Sequence, residues 1–143
     1  MGTRSIIGVE EDGKITAAYC HWDGYLENNG DILYKEYKNL AKIKKLISLG
    51  DMSSLGAEIE PPEGASHSFN DPAKDVTVYY NRDRGETDVS FREYNSREEM
   101  FDQEWDSEYF YLWVDNHWIY SERDHKWHDL GEAIEQIDAE AAS

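Results

Sequence analysis

The hydrophobic pattern of this chain changes period twice, and that order constrains the fold more than any single motif. Ile6, Ile7 and Val9 open as a strand, and Ile15 to His21 returns as a second. Asp12-Gly13 between them is a tight-turn signal, because glycine supplies the positive φ that a primed hairpin turn needs. Residues 31–49 then read as two helices. Ile32, Leu33 and Tyr37 face one way in the first, and Asn39 can cap the second. In that second helix Leu40, Ile43, Leu46 and Ile47 form an apolar stripe, Lys38, Lys42 and Lys45 lie on the polar side, and Gly50 ends it. After Val76 the alternating pattern returns. Val76–Tyr80 and Val89–Tyr94 predict one hairpin, and Tyr109–Val114 with Trp118–Tyr120 predict another around Asp115-Asn116. Ser96 and Glu99 form a capping box ahead of Met100, Phe101 and Trp105. An acidic C-terminal helix is expected over 129–143, with Ala133, Ile134 and Ile137 turned inward. Strands, then helices, then strands argue an α+β fold. The expectation is one domain over 1–143, with an antiparallel sheet of three hairpins packed by two or three short helices. Residues 60–75, which contain Pro61-Pro62, Gly64 and Pro72, predict a surface loop of that domain.

Charge is distributed unevenly over this framework. Residues 1–50 carry seven Lys or Arg and seven Asp or Glu, whereas residues 51–143 carry seven basic and 24 acidic residues. The second part therefore supplies the whole net charge of −17. Such a surplus repels nucleic acid and attracts basic surfaces. The chain is not a disordered acidic tail, because 13% of its residues are aromatic and tails of that kind are poor in aromatics. Cys20 is the only cysteine, which excludes an internal disulfide or a cysteine zinc cluster and fits a reducing cytoplasm. No leader-like segment is evident, and no apolar run approaches the ~18 residues of a membrane span. The myristoylation pattern needs Ser or Thr where this chain has Ile6.

The densest candidate for chemistry is Tyr19-Cys20-His21-Trp22-Asp23-Gly24-Tyr25. It reads either as an aromatic-walled small-molecule pocket or as strand-end packing around an Asp-Gly turn. Cys20 as a nucleophile would need a positioned base, yet strand alternation sends His21 to the opposite face. Arg82 and Arg84 at i, i+2 on a strand end would point the same way and could clamp an anion. Alternatively they pair with Asp83, Glu86 or Asp88. His125 and His128 resemble a metal pair without a third ligand. No P-loop, Gly-x-Gly-x-x-Gly or Gly-x-Ser-x-Gly occurs. No cofactor and no metal are expected.

The strings Met1-Gly-Thr-Arg-Ser-Ile-Ile-Gly, Tyr19-Cys-His-Trp-Asp-Gly-Tyr, Leu49-Gly-Asp-Met-Ser-Ser-Leu and Tyr80-Asn-Arg-Asp-Arg-Gly-Glu resemble a family of small proteins common in tailed-phage and prophage genomes. The resemblance spans about residues 1–86. It implies a phage origin and a bacterial host cytoplasm, and it brings no catalytic residues.

Together these features predict a non-enzymatic phage inhibitor that blocks a basic, nucleic-acid-binding host defence protein, with a CRISPR effector nuclease as the favoured target. Carboxylates can imitate duplex phosphates. The expected contact residues are Glu98, Glu99, Asp102, Glu104, Asp106 and Glu108, then Glu132, Glu135 and Asp138, with Trp105, Trp118 and Trp127 as aromatic anchors. The alternative is a small-nucleotide signal binder, in which Arg82 and Arg84 hold phosphate and Tyr19, His21, Trp22, Asp23 and Tyr25 surround the base. An enzyme of unidentified chemistry ranks third.

Overall fold

The structure is a computed structural model and describes residues 2–142. The chain is a mixed α/β domain built on one open, eight-stranded sheet. Strands β1 (Ser5–Glu11) and β2 (Lys14–Cys20) form the expected first hairpin. A π-helical turn (Leu26–Gly30) leads into α1 (Asp31–Glu36) and α2 (Leu40–Ser48). Asn39 caps α2 as expected, its side chain accepting from the Lys42 N–H at 2.8 Å. Next come β3 (Met52–Ser54), the 60–75 loop, β4 (Val78–Tyr79) and α3 (Tyr80–Arg84). The remainder is β5 (Arg92–Tyr94), α4 (Arg97–Gln103), β6 (Tyr109–Val114), β7 (His117–Ser121), β8 (Trp127–Asp129) and α5 (Leu130–Ala142). Among the described residues no helix is long and apolar enough to cross a membrane.

The sheet runs β4-β3-β2-β1-β6-β7-β8, and β5 also pairs with β2. It is mixed rather than purely antiparallel, because β1 pairs parallel with β6 and β2 pairs parallel with β3. Central β1 is covered on both faces, which is why Ser5 to Val9 reads as a continuous buried run. The β6–β7 hairpin around Asp115-Asn116 forms as expected. The hairpin expected over 76–94 does not. Val78–Tyr79 pairs with β3, and Arg92–Tyr94 pairs with β2. Between them Asp83 accepts the Tyr79 N–H at 2.8 Å and the Gly85 N–H bonds Asn81 O at 2.8 Å, so Tyr80–Arg84 winds into a helical turn.

Two cores result. On one face Ile7 and Val9 meet Leu33 of α1, Ile43 and Leu46 of α2, and Leu130 and Ile134 of α5. On the other, Ile6, Ile15, Phe110 and Leu112 meet Met100 and Phe101 of α4. Each large apolar side chain buried in this way contributes roughly 1.5–3 kcal/mol. The sheet therefore lies between α4 and α5.

Candidate partner-binding site at one end of the sheet

Strand register decides which loops meet. Ser5 pairs with both Cys20 and Tyr109, and Phe110 pairs with Ser121. Residues Gly2–Arg4, His21–Tyr25, Trp105–Glu108 and Glu122–Arg123 therefore leave the sheet at the same end. The turns at Asp12-Gly13 and Asp115-Asn116 occupy the other.

The His21–Tyr25 loop is fixed from beneath. The Gly24 N–H donates to Thr3 O at 2.8 Å, and a Cβ on Gly24 would lie 2.7 Å from that oxygen. The Tyr111 hydroxyl donates to Gly24 O at 2.6 Å. Buried Asn29 donates to Ser5 Oγ at 3.2 Å and to Cys20 Sγ at 3.5 Å. Burial pushes the Cys20 thiol up to about 12, and the side chain is packed away from solvent. Tyr19 Oη lies 2.7 Å from His21 Nδ1, and the His21 ring meets Trp22 edge-on at 4.7 Å. On this base Trp22 is 42% exposed and Tyr25 is 37% exposed. The Tyr25 hydroxyl donates to Asp23 at 3.3 Å.

Arg4 ties this loop to the segment after α4, approaching Asp106 at 3.4 Å and Glu108 at 3.9 Å. Trp105, in the same segment, is 76% exposed, the most open large hydrophobic side chain among those described. A groove of about 430 Å³ runs alongside, between Tyr25 and Tyr109, and Thr3, Glu108, Glu122 and Arg123 complete its lining. Burial raises the Tyr109 pKa, and Glu122, Glu27 and Glu108 raise it further.

A second cleft, of about 350 Å³, opens where β3 and β5 share the outer edge of β2. Asp51 fills the gap in that ladder by accepting the Tyr19 N–H at 3.1 Å. Gly50 leaves no room for a side chain, since its φ is +90° and a Cβ would lie 2.4 Å from Val89 O. Arg92 bridges Asp51 at 2.9 Å and Glu104 at 3.2 Å, and Tyr94 also donates to Glu104. Burial raises the Asp51 pKa against the opposing pull of the Tyr19 N–H and Arg92. This Asp51–Arg92–Glu104 network was not singled out from the sequence. Asp51 follows closely on the end of α2, and its partners Tyr19 and Arg92 are 32 and 41 residues away.

Several expected contact residues have other roles. Trp118 is 3% exposed and donates to Tyr37 O at 2.9 Å, so it is core and not an anchor. Trp127 is half-buried against Phe101, with Arg97 over its ring. Glu104 is held inside the Arg92–Tyr94 network. The acids expected to form one display are divided by the sheet. Glu98, Glu99 and Asp102 ride on α4, while Glu132, Glu135 and Asp138 ride on α5 against the opposite face.

The arginine clamp does not form, because Arg82 and Arg84 lie on α3 and not on a strand. Arg82 donates to Ile59 O at 2.6 Å, to Thr77 O at 2.8 Å and to Asp83 at 2.9 Å. Arg84 lies over Phe69, 4.9 Å from its centroid. Buried His67 accepts the Ala73 N–H at Nδ1 and faces Asp83 at 3.2 Å through Nε2. Burial alone would raise the Asp83 pKa, but Arg82, the Tyr79 N–H and His67 together hold it below the usual carboxylate range. His125 stacks on Phe101 at 4.0 Å, and His128 leans on Tyr120 at 5.3 Å. Among the described residues no group of three or more His, Cys, Asp or Glu is placed to hold a metal ion.

Comparison with protein-family models, with curated proteins and with solved structures finds no match.

Proposed function

We propose that this protein acts by binding, docking α4 and the Trp105–Glu108 segment onto a basic partner. The observation that carries this reading is Trp105, which is 76% exposed and lies between Asp102 and Asp106. Leaving an indole in water is unfavourable, and tryptophan is enriched among residues that dominate interfaces. Around it, the side chains of Glu98 and Asp102 make no hydrogen bond or ion pair among the described residues. Their charge is uncompensated and would attract a Lys/Arg-lined surface. The resemblance of residues 1–86 to tailed-phage proteins supports a nucleic-acid-binding effector of bacterial antiviral defence as the partner, with a CRISPR nuclease favoured.

The test is competition between this protein and nucleic acid for the purified nuclease across a salt series. Displacement that weakens as salt rises and is lost in Trp105→Ala is the expected result. Displacement unchanged by Trp105→Ala together with Glu98→Lys and Asp102→Lys would sink the reading.

A further inference from the structure

We propose that the groove between Tyr25 and Tyr109 is an arginine-reading pocket, which grips one guanidinium of the basic partner. The inference rests on the binding reading above and names a recognition element within it. Tyr25 and Tyr109 both line the open groove, whose volume of about 430 Å³ is enough for one long side chain. Its mouth is acidic. Glu108 and Glu122 line it, and Glu27 acts on the same Tyr109 phenol. Asp23 stands beside Tyr25, accepting its hydroxyl at 3.3 Å.

The cations present pair only with Glu108 of this set, although Arg123 itself lines the groove. Arg4 and Arg123 each approach Glu108 only at 3.9 Å. The side chains of Glu27 and Glu122 make no ion pair or hydrogen bond among the described residues, and Asp23 makes no ion pair. A phosphate would be repelled by this mouth. A planar guanidinium suits it, stacking on a tyrosine face while forking onto a carboxylate. An ammonium lacks both the planarity and the fork.

The wall that carries Tyr25 is also set in advance. Asp23 holds a left-handed φ of +57°, which Asp adopts more readily than most residues and which also occurs at other Asp turns of this chain. The loop is kept there by the Gly24 N–H on Thr3 O, the Tyr111 hydroxyl on Gly24 O and the Asn29 N–H, which donates to Asp23 O at 3.2 Å. A rigid wall loses little entropy on binding, which favours a recognition role over a solvated turn.

The test is a titration of the intact protein, followed by amide and indole NMR, with Gly-Ser peptides carrying three Arg, three Lys or three Glu. The inference expects the arginine peptide to shift Tyr25, Tyr109 and Glu122 amides first. The lysine peptide should bind roughly tenfold or more weakly, and the glutamate peptide should produce no shifts. Glu122→Gln and Tyr25→Ala should each weaken the arginine peptide several-fold while leaving the rest of the spectrum native. Shifts from the arginine peptide confined to α4 and Trp105 would overturn the pocket and leave the binding reading standing. Equal shifts along α5 would likewise overturn it, by reducing the effect to general charge. Absence of binding by any basic peptide would overturn the binding reading itself.

Discussion

The segments 98–108 and 129–140 are both rich in Asp and Glu and carry no Lys or Arg, but their situations are opposite. The second is helical almost throughout, whereas the first is helical only to Gln103 and continues as a turn to Glu108. On α5, Glu135 accepts the Tyr34 hydroxyl and Asp138 pairs with Lys35 at 3.1 Å, so those acids help dock the helix onto α1. No large hydrophobic side chain stands exposed among them. On α4, Glu98 and Asp102 extend unpaired, and Trp105 follows in the open. Carboxylates alone therefore do not distinguish an interface from a solvated coat. What distinguishes the two segments is the exposed apolar side chain, since unpaired carboxylates occur in both, Glu98 and Asp102 in the first and Glu132 in the second.

The largest expected effect concerns the two tryptophans that sequence alone had grouped together. Trp118→Ala should cost about 3–5 kcal/mol of stability in a denaturant titration, because it empties a packed core site. Trp105→Ala should stay within about 0.5 kcal/mol of the parent, as an exposed substitution does. Comparable losses in the two variants would erase the distinction between core and anchor.

The next effect is on binding. Trp105→Ala should weaken partner affinity by about 2 kcal/mol, close to thirtyfold. Glu132→Lys, Glu135→Lys and Asp138→Lys combined on α5 should change it far less. Calorimetry at fixed salt compares them, and the reverse ranking would move the interface to the other face.

Caps sharpen the contrast further. The Glu99 N–H donates to Ser96 Oγ at 3.1 Å, and the Glu132 N–H donates to Asp129 at 2.9 Å. Ser96→Ala and Asp129→Ala should each lose about 1 kcal/mol of stability. Only the first should also slow association with the partner, since it frays the helix that precedes the anchor. The smallest effect belongs to Lys35→Ala. It breaks exposed pairs with Asp31 and Asp138 and should cost no more than about 0.5 kcal/mol in thermal unfolding.

Sequence reasoning performed well where the determinants are local. The Asp12-Gly13 and Asp115-Asn116 turns, the Asn39 cap and the Ser96–Glu99 start depend on residues within a few positions of each other, and all form. The capping box is slightly shifted, since Glu99 accepts from the Asn95 N–H at 3.1 Å rather than from that of Ser96. The misses are non-local. The parallel β1–β6 pairing joins residues about a hundred positions apart, and no spacing rule anticipates it. It is this pairing that brings His21–Tyr25 beside Trp105–Glu108, so residues expected to serve two competing functions share one end of the sheet. Trp118 was misplaced for a related reason. Alternation tells which residues share a face, but both faces of this sheet are covered, so neither set points to solvent.

The central claim is that the partner covers the sheet end rather than the α5 face. Hydrogen–deuterium exchange of the protein with and without its bound partner tests it directly. The account predicts new protection over 22–27, 97–109 and 122–123, with 132–140 unchanged. Protection confined to 132–140, with the sheet end exchanging as in the unbound protein, would contradict it.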